Sequence, residues 1–305
     1  MDRRLKDFLI ERARVIGGSD IPAVLGLSPF TTPLQLYVEK LGWRKAPDRM
    51  LEQQTEQEWH YWGHALELPI AHRFASKEEA DREVVRAAPS FWVHPEHSEI
   101  GGHVDFIQYK KDARHSAGVL DCKNTRQFNR ADWTKETPPH VEAQVQSYIG
   151  LGNSQPRQHR FTFGSCAVLV GGCEFFWDDF DINQSFIDSA FAAAVEFMQR
   201  IVHEDPPEAG PGDYGALREL YPDTKFETID LPEQAVDAYV DWVNARTAAT
   251  RSRKLARESE VRLREMIGGS AYAKLPTGTV LSLKKESRRG HTIPPSTGRV
   301  LRRVR

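Results

Sequence analysis

Two spacings of apolar residues recur along this chain and divide it into helices and strands. Repeats of three and four residues predict helices, and runs of β-branched and aromatic residues predict strands. The predicted helices span residues 3–15, 33–41, 56–75, 138–150, 186–202 and 231–267. The predicted strands span residues 82–93, 103–109, 119–125, 161–170 and 173–182, with polar turn residues at 110–118 and a short hairpin at 272–283. This alternation of helices with a largely apolar sheet indicates an α/β (mixed α+β) fold.

The segment 100–125 predicts a β-hairpin whose second strand carries charged residues on one face. Successive side chains of a strand point to opposite faces, so Asp121 and Lys123 share one face while Leu120 and Cys122 share the other. A carboxylate and an ammonium group therefore point together out of a sheet whose opposite face is apolar.

A symmetric hairpin about Ala113 would place Asp105 opposite Asp121. Two carboxylates beside Lys123 suit Mg²⁺, which prefers oxygen ligands and needs no cysteine or histidine. A bound ion could lower the pKa of water and shield charge on a phosphate, with the lysine orienting that water. The alternative interpretation is a solvated face of the hairpin, because strands often end in Asp or Lys.

A second candidate site lies near the N-terminus. Arg12, Arg14 and Ser19 are predicted to cluster beside the Gly17-Gly18 turn, where Ser19 and Asp20 are natural helix caps. Glycine amides, a helix N-terminus, a hydroxyl and a guanidinium group together form an anion site. A plain connection between two helices is the alternative.

Two predicted helices carry further notable residues. His140, Gln144 and Tyr148 recur every four residues and form a polar stripe on the helix predicted at 138–150. The helix at 56–75 contains Pro69, which is expected to kink it.

Composition and charge limit the class of protein. The chain has 305 residues and a net charge of -2, which argues against indiscriminate binding to polyanions. Its start lacks the apolar run of a signal peptide, and no stretch has the length of a membrane span, so we expect a cytoplasmic protein without membrane contact. Three cysteines without CxxC spacing exclude a disulfide framework or a four-cysteine cluster.

The C-terminal third differs from the rest of the chain. The Pro- and Gly-rich stretch at 204–215 predicts a boundary, which divides the chain into a core at 1–205, a linker at 206–230 and a helical extension at 231–305. From residue 284 to the end there are eight Lys or Arg residues against one acid. This basic tail is either a solvated segment or a contact for a phosphate backbone.

Five motifs occur in an order that resembles the YqaJ-type viral recombinase nucleases, the lambda-exonuclease relatives within the PD-(D/E)XK superfamily. They are RARVIGGSDIPAVLGLSPFTTPLQLYVEKLG, GHALELPIA, GGHVDF, GVLDCKNT and PPHVEAQVQSYIGLG, and the likeness covers about residues 10–205. The resemblance implies a restriction-endonuclease-like core, with a central mixed sheet flanked by helices.

The resemblance also implies a role for each matching residue. Metal ligands are expected from Glu67, Asp105, Asp121 and the backbone carbonyl of Cys122, and Lys123 completes the (D/E)XK pair. The QxxxY motif corresponds to Gln144 and Tyr148, and the residues expected to hold a terminal 5′-phosphate are Arg12 and Ser19. Asp121 departs from the more common Glu, and its shorter arm could shift the metal.

The implied activity is a two-metal, Mg²⁺-dependent 5′-to-3′ exonuclease on linear double-stranded DNA, in which Mn²⁺ substitutes for Mg²⁺. Its product would be a 3′ single-stranded overhang, passed to a phage-type single-strand annealing protein. A ring-like homo-oligomer, commonly a trimer, and a phage or prophage origin in a bacterial host are further expectations. The alternatives are a nuclease of the same fold with different polarity or endonuclease action in defence or repair, and a DNA-binding scaffold without turnover.

Overall fold

The computed structural model describes residues 9–53, 58–111, 113–127, 130–133, 137–156 and 160–285. The chain divides into two compact units, Met1–Tyr221 and Pro222–Arg305, which we describe separately. The described helices of the first unit are a turn at residues 9–13, α1 (Ile21–Val24), α2 (Pro33–Lys45), α3 (Pro47–Gln53), α4 (Glu58–Ala75), α5 (Arg130–Trp133), α6 (Pro139–Ser154), α7 (Gln184–His203) and α8 (Tyr214–Leu220). Its described strands are β1 (Arg82–Arg86), β2 (Phe91–Val93), β3 (Gly101–His103), β4 (Phe106–Lys110), β5 (Ala113–Thr125), β6 (Arg160–Val170) and β7 (Glu174–Asp181).

A five-stranded mixed sheet forms the centre of the first unit. Its strand order is β1-β4-β5-β6-β7, with β5 and β6 parallel and the other neighbours antiparallel. Leu120 packs with Phe74 of α4 on one face, whereas Val119 packs with Val145 of α6 on the other. The predicted mixed α/β core, with a central mixed sheet flanked by helices, is therefore confirmed.

The register of the central hairpin agrees with the sequence prediction. Phe106 pairs with Leu120 and Ile107 pairs with Val119, which aligns Asp105 with the level of Asp121. The predicted turn at 110–118 was too long, because β5 already begins at Ala113 and a register shift follows Tyr109.

The reason for the short turn is the pairing of β5 with its other neighbour. Ser116 and Ala117 pair with Arg160 and Phe161 of β6. A central strand is hydrogen-bonded on both sides, so polar residues that favour a turn locally are held in the ladder.

Two predicted strands, 82–93 and 103–109, are each divided in the structure. Among the described strands, β2 and β3 pair with each other in a small separate sheet, and the chain crosses between the two sheets at 87–90 and again at 104–105. Pro89 lies in the first crossing, where the absence of an N–H group disfavours a continued ladder. Asp105 lies in the second crossing, so it belongs to a link between strands and not to a strand interior.

Several predicted helices are longer or shorter than expected. The first helix is described only at 9–13, because residues 14 and 15 are not helical and residues 1–8 lie outside the described part. The helix predicted at 33–41 continues to Lys45. Helix α4 runs unbroken through Pro69 from Glu58, while residues 56 and 57 are outside the described ranges.

The segment predicted as a linker, 206–230, contains a helix that sequence reasoning missed. Helix α8 contributes the buried Ala216 to a core with α2 and α7, and the Asp213 carboxylate accepts a hydrogen bond from the Thr32 hydroxyl. The amide of Gln35 also donates to the carbonyl of Gly212 at 3.4 Å. Consequently the first unit extends to Tyr221.

The second unit consists of the long helix α9 (Ala235–Ile267) and a hairpin of β8 (Tyr272–Lys274) and β9 (Val280–Ser282). The predicted helix and hairpin are both found, with the helix beginning at Ala235 instead of residue 231. The basic tail beyond Lys285 lies outside the described residues. Among the helices that the structure describes, none has the length and apolar content needed to cross a membrane.

Candidate active site

The centre of the site is a contact between β5 and helix α6. Asp121 and Lys123 lie on the face of β5 that α6 covers, and Lys123 Nζ is 2.9 Å from Asp121 Oδ2. The Gln144 side chain bridges the two, since its Nε2 donates to Asp121 Oδ1 at 3.1 Å and its Oε1 accepts from Lys123 Nζ at 3.0 Å. The predicted stripe on α6 therefore meets the predicted pair on β5, and the face is not simply solvated.

Burial and the neighbouring charge together determine the protonation state of Lys123. The Asp121 side chain is only 4 % exposed, while 29 % of the Lys123 side chain is exposed. Burial acts to lower the pKa of Lys123, but the charge of Asp121 outweighs it and raises that pKa. Lys123 is thus an ammonium group at neutral pH, able to hold a water or a phosphate oxygen but not to remove a proton.

Asp105 faces the same region from the link between β3 and β4. Its Oδ2 accepts a hydrogen bond from the backbone N–H of Cys122 at 3.4 Å. Burial first, and then the negative charges of Asp121 and Glu67, raise the pKa of Asp105 to about 7. A cation bound next to these two carboxylates would relieve the repulsion between them.

Glu67 lies on helix α4 and contacts two other charged or titratable groups. Its Oε1 is 2.7 Å from His64 Nδ1, and its Oε2 is 3.6 Å from the Arg86 guanidinium. The side chain is 13 % exposed, so it is not the solvated charge that a lone helical Glu often is. Glu67 contributes to the field at Asp105 while its own oxygens face His64 and Arg86.

Tyr148 connects this cluster to residues 12–20, which comprise the last two residues of the helical turn at 9–13 and the segment that follows it, and which we call the N-terminal loop. The Gln144 Nε2 donates to the Tyr148 hydroxyl at 3.3 Å. The ring lies between two glycines, because a Cβ at Gly18 would be 2.5 Å from Tyr148 Cε1 and a Cβ at Gly102 would be 3.1 Å from it. Burial raises the pKa of the Tyr148 phenol, so the hydroxyl stays neutral.

The N-terminal loop is organised by a buried ion pair that sequence reasoning missed. Lys40 Nζ is 2.7 Å from Asp20 Oδ2, and both side chains are almost fully buried. Lys40 also donates to the carbonyls of Arg12 and Val15 at 2.9 and 2.7 Å. Asp20 in turn accepts from the Gly17 N–H at 3.0 Å, so this pair fixes the backbone on both sides of the turn.

The predicted anion residues lie around this pair. A guanidinium nitrogen of Arg12 is 3.4 Å from Asp20 Oδ1, and 41 % of the Arg12 side chain is exposed. Its Nε makes no hydrogen bond within the described part of the chain. Ser19 and Arg14 are exposed. Arg12 and Ser19 are therefore on the same loop, with a cationic group available to an anion.

The helix-terminus part of the predicted anion site is not supported. Helix α1 has four residues, and Asp20 makes no capping hydrogen bond to it. The Asp20 carboxylate faces Gly17 and Lys40 instead, and burial, which would raise its pKa, is outweighed by the charges of Lys40 and Arg12, so that the pKa of Asp20 is lowered. A permanent carboxylate beside the first turn offsets the positive end of so short a helix.

The donor chemistry of the central cluster fits a hard divalent cation. The oxygens of Asp105 and Asp121 are of the type that Mg²⁺ prefers. Asp121 Oδ2 is buried and accepts no hydrogen bond within the described residues, although it faces Lys123. As the side chains stand, no three His, Cys, Asp or Glu groups of the described ranges are grouped to hold a metal ion. Glu67 would have to leave His64 and Arg86 to join the other two carboxylates.

Comparison with known families supports the resemblance predicted from the motifs. The segment 7–154 matches the family described as the YqaJ-like viral recombinase domain. The predicted resemblance is thereby confirmed, and every predicted site residue, from Arg12 to Tyr148, falls inside the matched segment.

One curated protein and several solved structures are also similar to this chain. The uncharacterized protein YqaJ of Bacillus subtilis (strain 168) is 28 % identical over 271 residues, which are 87 % of this chain and 79 % of that protein. An alkaline exonuclease from Laribacter hongkongensis is 13 % identical with a TM-score of 0.47, covering 65 % of this chain and 93 % of its own. A phage-related exonuclease from Haemophilus somnus 129PT is 11 % identical with a TM-score of 0.44, covering 62 % and 96 % of the two chains.

Local sequence signals existed for some of the residues that sequence reasoning missed. Lys40 lies three residues after Tyr37 and four after Leu36, so it falls on the buried face of α2. A lysine within an apolar stripe indicates a buried partner. His64 precedes Glu67 by three residues, a spacing at which helical side chains meet. The partner of Lys40 and the contact of Arg86 with Glu67 depend on tertiary structure.

Proposed function

We propose that this protein is a divalent-metal-dependent exonuclease that degrades one strand of linear double-stranded DNA in the 5′-to-3′ direction. The observation that carries the proposal is the contact of Asp121 and Lys123 with Gln144, beside the carboxylate of Asp105. A metal-binding carboxylate pair next to a fixed ammonium group suits hydrolysis of a phosphodiester.

Mg²⁺ is the proposed cofactor, and Mn²⁺ is expected to substitute for it. Asp105, Asp121 and the carbonyl of Cys122 would hold the ion, and Glu67 would complete a two-metal site after leaving His64 and Arg86. When bound, the ion supplies an acidic water and a charge that offsets the negative phosphate. The pKa of Asp105 is raised first by burial and then by the charge of Asp121, so a cation at this place would stabilise the ionised carboxylate.

The chain's own residues then have separate tasks. Lys123, kept as an ammonium group, would orient the attacking water or a phosphate oxygen. Gln144 holds both Lys123 and Asp121 and thereby fixes the geometry between them. Tyr148 fixes Gln144 through its hydroxyl and contacts the N-terminal loop through its ring.

The N-terminal loop would determine the 5′-to-3′ direction of digestion. The exposed part of Arg12 and the exposed Ser19 would bind the terminal 5′-phosphate of the strand that is degraded. Because the loop contacts Tyr148, a strand end held there would be positioned relative to the cluster. A pocket for a terminal phosphate selects ends over internal bonds, which supports exonuclease action.

The test is a linear duplex with a 5′-phosphate on one strand and a 5′-hydroxyl on the other, each strand carrying a different dye at its 3′ end. Degradation from the 5′ end shortens the phosphorylated strand stepwise while its dye is retained. Degradation from the 3′ end releases the dye at once on a mononucleotide. Wild-type protein with Mg²⁺ is expected to give the stepwise pattern.

Two matched pairs of variants accompany this gel. Lys123→Met is expected to abolish digestion, whereas Lys111→Met, at an exposed lysine 3.8 Å from Asp81, should retain it. Arg12→Met is expected to remove the preference for the phosphorylated strand, whereas Arg44→Met, at an exposed arginine of helix α2, should keep it. Immediate release of the dye or internal cutting would favour the alternative nucleases of this fold. No digestion by wild type with Mg²⁺ or Mn²⁺ would favour the scaffold.

The proposed setting is phage-type recombination by strand annealing in a bacterial host. The product, a duplex with a 3′ single-stranded overhang, would be passed to a single-strand annealing protein. A homo-oligomer, with a trimer favoured, would enclose the DNA during repeated cleavage. Light scattering of the purified protein with and without DNA ends measures this oligomeric state.

A further inference from the structure

The long helix α9 of the second unit carries an unbalanced charge along its middle. Between positions 242 and 257 it contains five basic residues and no acidic one: Arg246, Arg251, Arg253, Lys254 and Arg257. None of the 33 residues of α9 is buried in the described structure. Such a helix presents its charges to a partner or to solvent, not to a core of its own unit.

Three of these arginines lie on one face together with two aromatic residues. Arg246, Arg253 and Arg257 are spaced by seven and four residues, which returns each of them to the same side of a helix. Tyr239 and Trp242 precede Arg246 by seven and four residues and fall on that side as well. We call these five residues the basic-aromatic face. At 1.5 Å per residue, its arginines span roughly 16 Å.

The aromatic residues of this face support its first arginine. The Arg246 guanidinium carbon lies 4.9 Å from the centre of the Trp242 ring. The Trp242 ring in turn lies 6.1 Å from the ring of Tyr239, which is 44 % exposed. A guanidinium group stacked on an indole keeps its charge and its N–H donors while losing side-chain freedom in advance of binding.

The charges of the face are not neutralised within the helix. Lys254 lies 4.0 Å from Glu258, and Arg264 lies 2.7 Å from Glu260. By contrast, Arg246, Arg253 and Arg257 have no carboxylate within ion-pair distance among the residues that the structure describes. The basic-aromatic face thus has an excess of positive charge, which suits an anionic partner.

We propose that the basic-aromatic face of α9 binds the phosphate backbone of duplex DNA, away from any strand end. Duplex DNA carries about one phosphate per 1.7 Å of its axis, so a 16 Å length carries roughly ten phosphates on its two strands, and some of them face the three arginines at any register. Contacts to phosphates carry no sequence information, which suits an enzyme that acts on every sequence. The inference rests on the proposed function, because that function makes DNA the partner, and it adds a second DNA contact on the second unit.

The test compares two double variants with the same change of charge on the same helix. Arg253→Glu/Arg257→Glu reverses the basic-aromatic face. Arg251→Glu/Arg262→Glu makes an equal change on the other side of α9, because these two residues are three turns apart and lie about 150° around the helix from the face. The DNA is a covalently closed circular duplex in EDTA, which offers neither an end nor a metal to the candidate active site.

Binding of full-length protein to the circle is measured by mobility shift at several salt concentrations. The slope of log K against log salt changes by about 0.9 for each phosphate that the protein no longer neutralises. Two unneutralised phosphates should therefore reduce the slope by roughly two and weaken binding at 0.1 M salt by about tenfold or more. The control pair should keep the wild-type slope, and circular dichroism should show equal helix content in all three proteins.

Other outcomes overturn the inference. An equal weakening of binding in both pairs would mean that only net charge matters and not this face. Unchanged binding in both pairs, or no binding of the circle by wild type, would mean that α9 takes a different partner, such as an acidic protein surface. Failure of the proposed exonuclease is seen separately on the linear duplex, since a protein without digestion can still bind the circle through this face.

Discussion

A Cβ atom added to Gly18 would lie 2.5 Å from Cε1 of Tyr148, so the backbone of the N-terminal loop rests directly on that ring. Gly102 approaches the same ring from β3, where an added Cβ would lie 3.1 Å away. Tyr148 is also hydrogen-bonded to Gln144, which holds Asp121 and Lys123. One side chain therefore links the loop of Arg12 and Ser19 to the central cluster.

Substitution of Gly18 by Ala is expected to separate these two parts of the site. The added methyl group must displace either the ring or the loop, which costs about 1–3 kcal/mol of unfolding free energy by overpacking. Because the loop carries Arg12, we expect the preference for 5′-phosphorylated ends to fall together with the rate. The measurements are chemical unfolding and the two-strand digestion gel.

The matched control is Gly63→Ala. Gly63 lies within helix α4, one turn before Glu67, and an added Cβ would meet no atom within 4 Å. Alanine is the better helix former, so this variant should gain about 0.5–1 kcal/mol and keep its activity. Equal behaviour of the two variants would mean that the contact of Gly18 with Tyr148 has no role.

The buried pair of Lys40 and Asp20 leads to a prediction on stability. Lys40→Met leaves the Asp20 carboxylate without its closest cation in the interior and removes two bonds to the carbonyls of Arg12 and Val15. Breaking a buried pair in this way costs about 3–5 kcal/mol. Lys45→Met, which breaks an exposed pair with Glu204, should cost less than about 1 kcal/mol.

Denaturant unfolding of both variants measures these costs. Removal of both charges in Asp20→Asn/Lys40→Met should be less damaging than the sum of the single changes, since no unpaired charge is then left inside. Strict additivity would contradict a direct pair between Asp20 and Lys40.

The sequence was sufficient for those parts of the site that depend on local periodicity. Alternation along β5 placed Asp121 beside Lys123, and helical spacing on α6 placed Gln144 and Tyr148 on one face. The opposition of Asp105 and Asp121 followed from the symmetry of one hairpin. These relationships involve neighbours within an element or across a single turn, where geometry leaves few choices.

Long-range contacts could not be obtained in this way. Thr32 and Asp213 are distant in the sequence, and nothing local indicates that α8 packs on α2. The crossing of the chain between two sheets at 104–105 likewise depends on the pairing of β2 with β3, which takes them out of the central sheet. Lys40 of α2, which binds the N-terminal loop, did have a local signal, because it interrupts an apolar stripe.

Gln144 provides a test of how the cluster is held. Gln144→Leu removes the amide that bonds Asp121 and Lys123, and leaves Asp121 Oδ1 without its donor. Loss of a fixed orientation between a carboxylate and an ammonium group should lower the rate of digestion by about 10- to 100-fold. The effect is expected in kcat more than in KM, because DNA contacts elsewhere are unchanged.

Gln146→Leu is the matched change on the same helix. Gln146 bonds the carbonyl of Asp181 and the N–H of Asn183 and makes no described contact with the cluster. It should destabilise the protein by about 1–3 kcal/mol without a comparable loss of rate per folded molecule. If both variants lost activity in proportion to stability, Gln144 would be structural only.

The pKa of Asp105 makes stability depend on pH and on metal. Burial and the charges of Asp121 and Glu67 raise the folded pKa to about 7, above the usual value of 3.8. Between these values the folded state holds a proton that the unfolded state has released, so unfolding free energy falls as pH rises from about 4 to 7 and then stays level. Asp105→Asn removes this penalty, and without metal it should stabilise the protein by at most about 4 kcal/mol at pH 8, but by little at pH 4.

A divalent metal ion should reduce or reverse the difference in stability between wild type and Asp105→Asn. Binding to the folded state raises stability by mass action, and Asp105 is one of the proposed ligands, so Mg²⁺ at pH 8 should stabilise wild type more than Asp105→Asn. Urea unfolding at pH 4, 6 and 8, in EDTA and in Mg²⁺, measures both effects. Parallel curves for the two proteins in EDTA would exclude a strained Asp105 carboxylate. Equal stabilisation by Mg²⁺ would instead remove Asp105 from the metal ligands, because its carboxylate would then contribute nothing to binding of the ion.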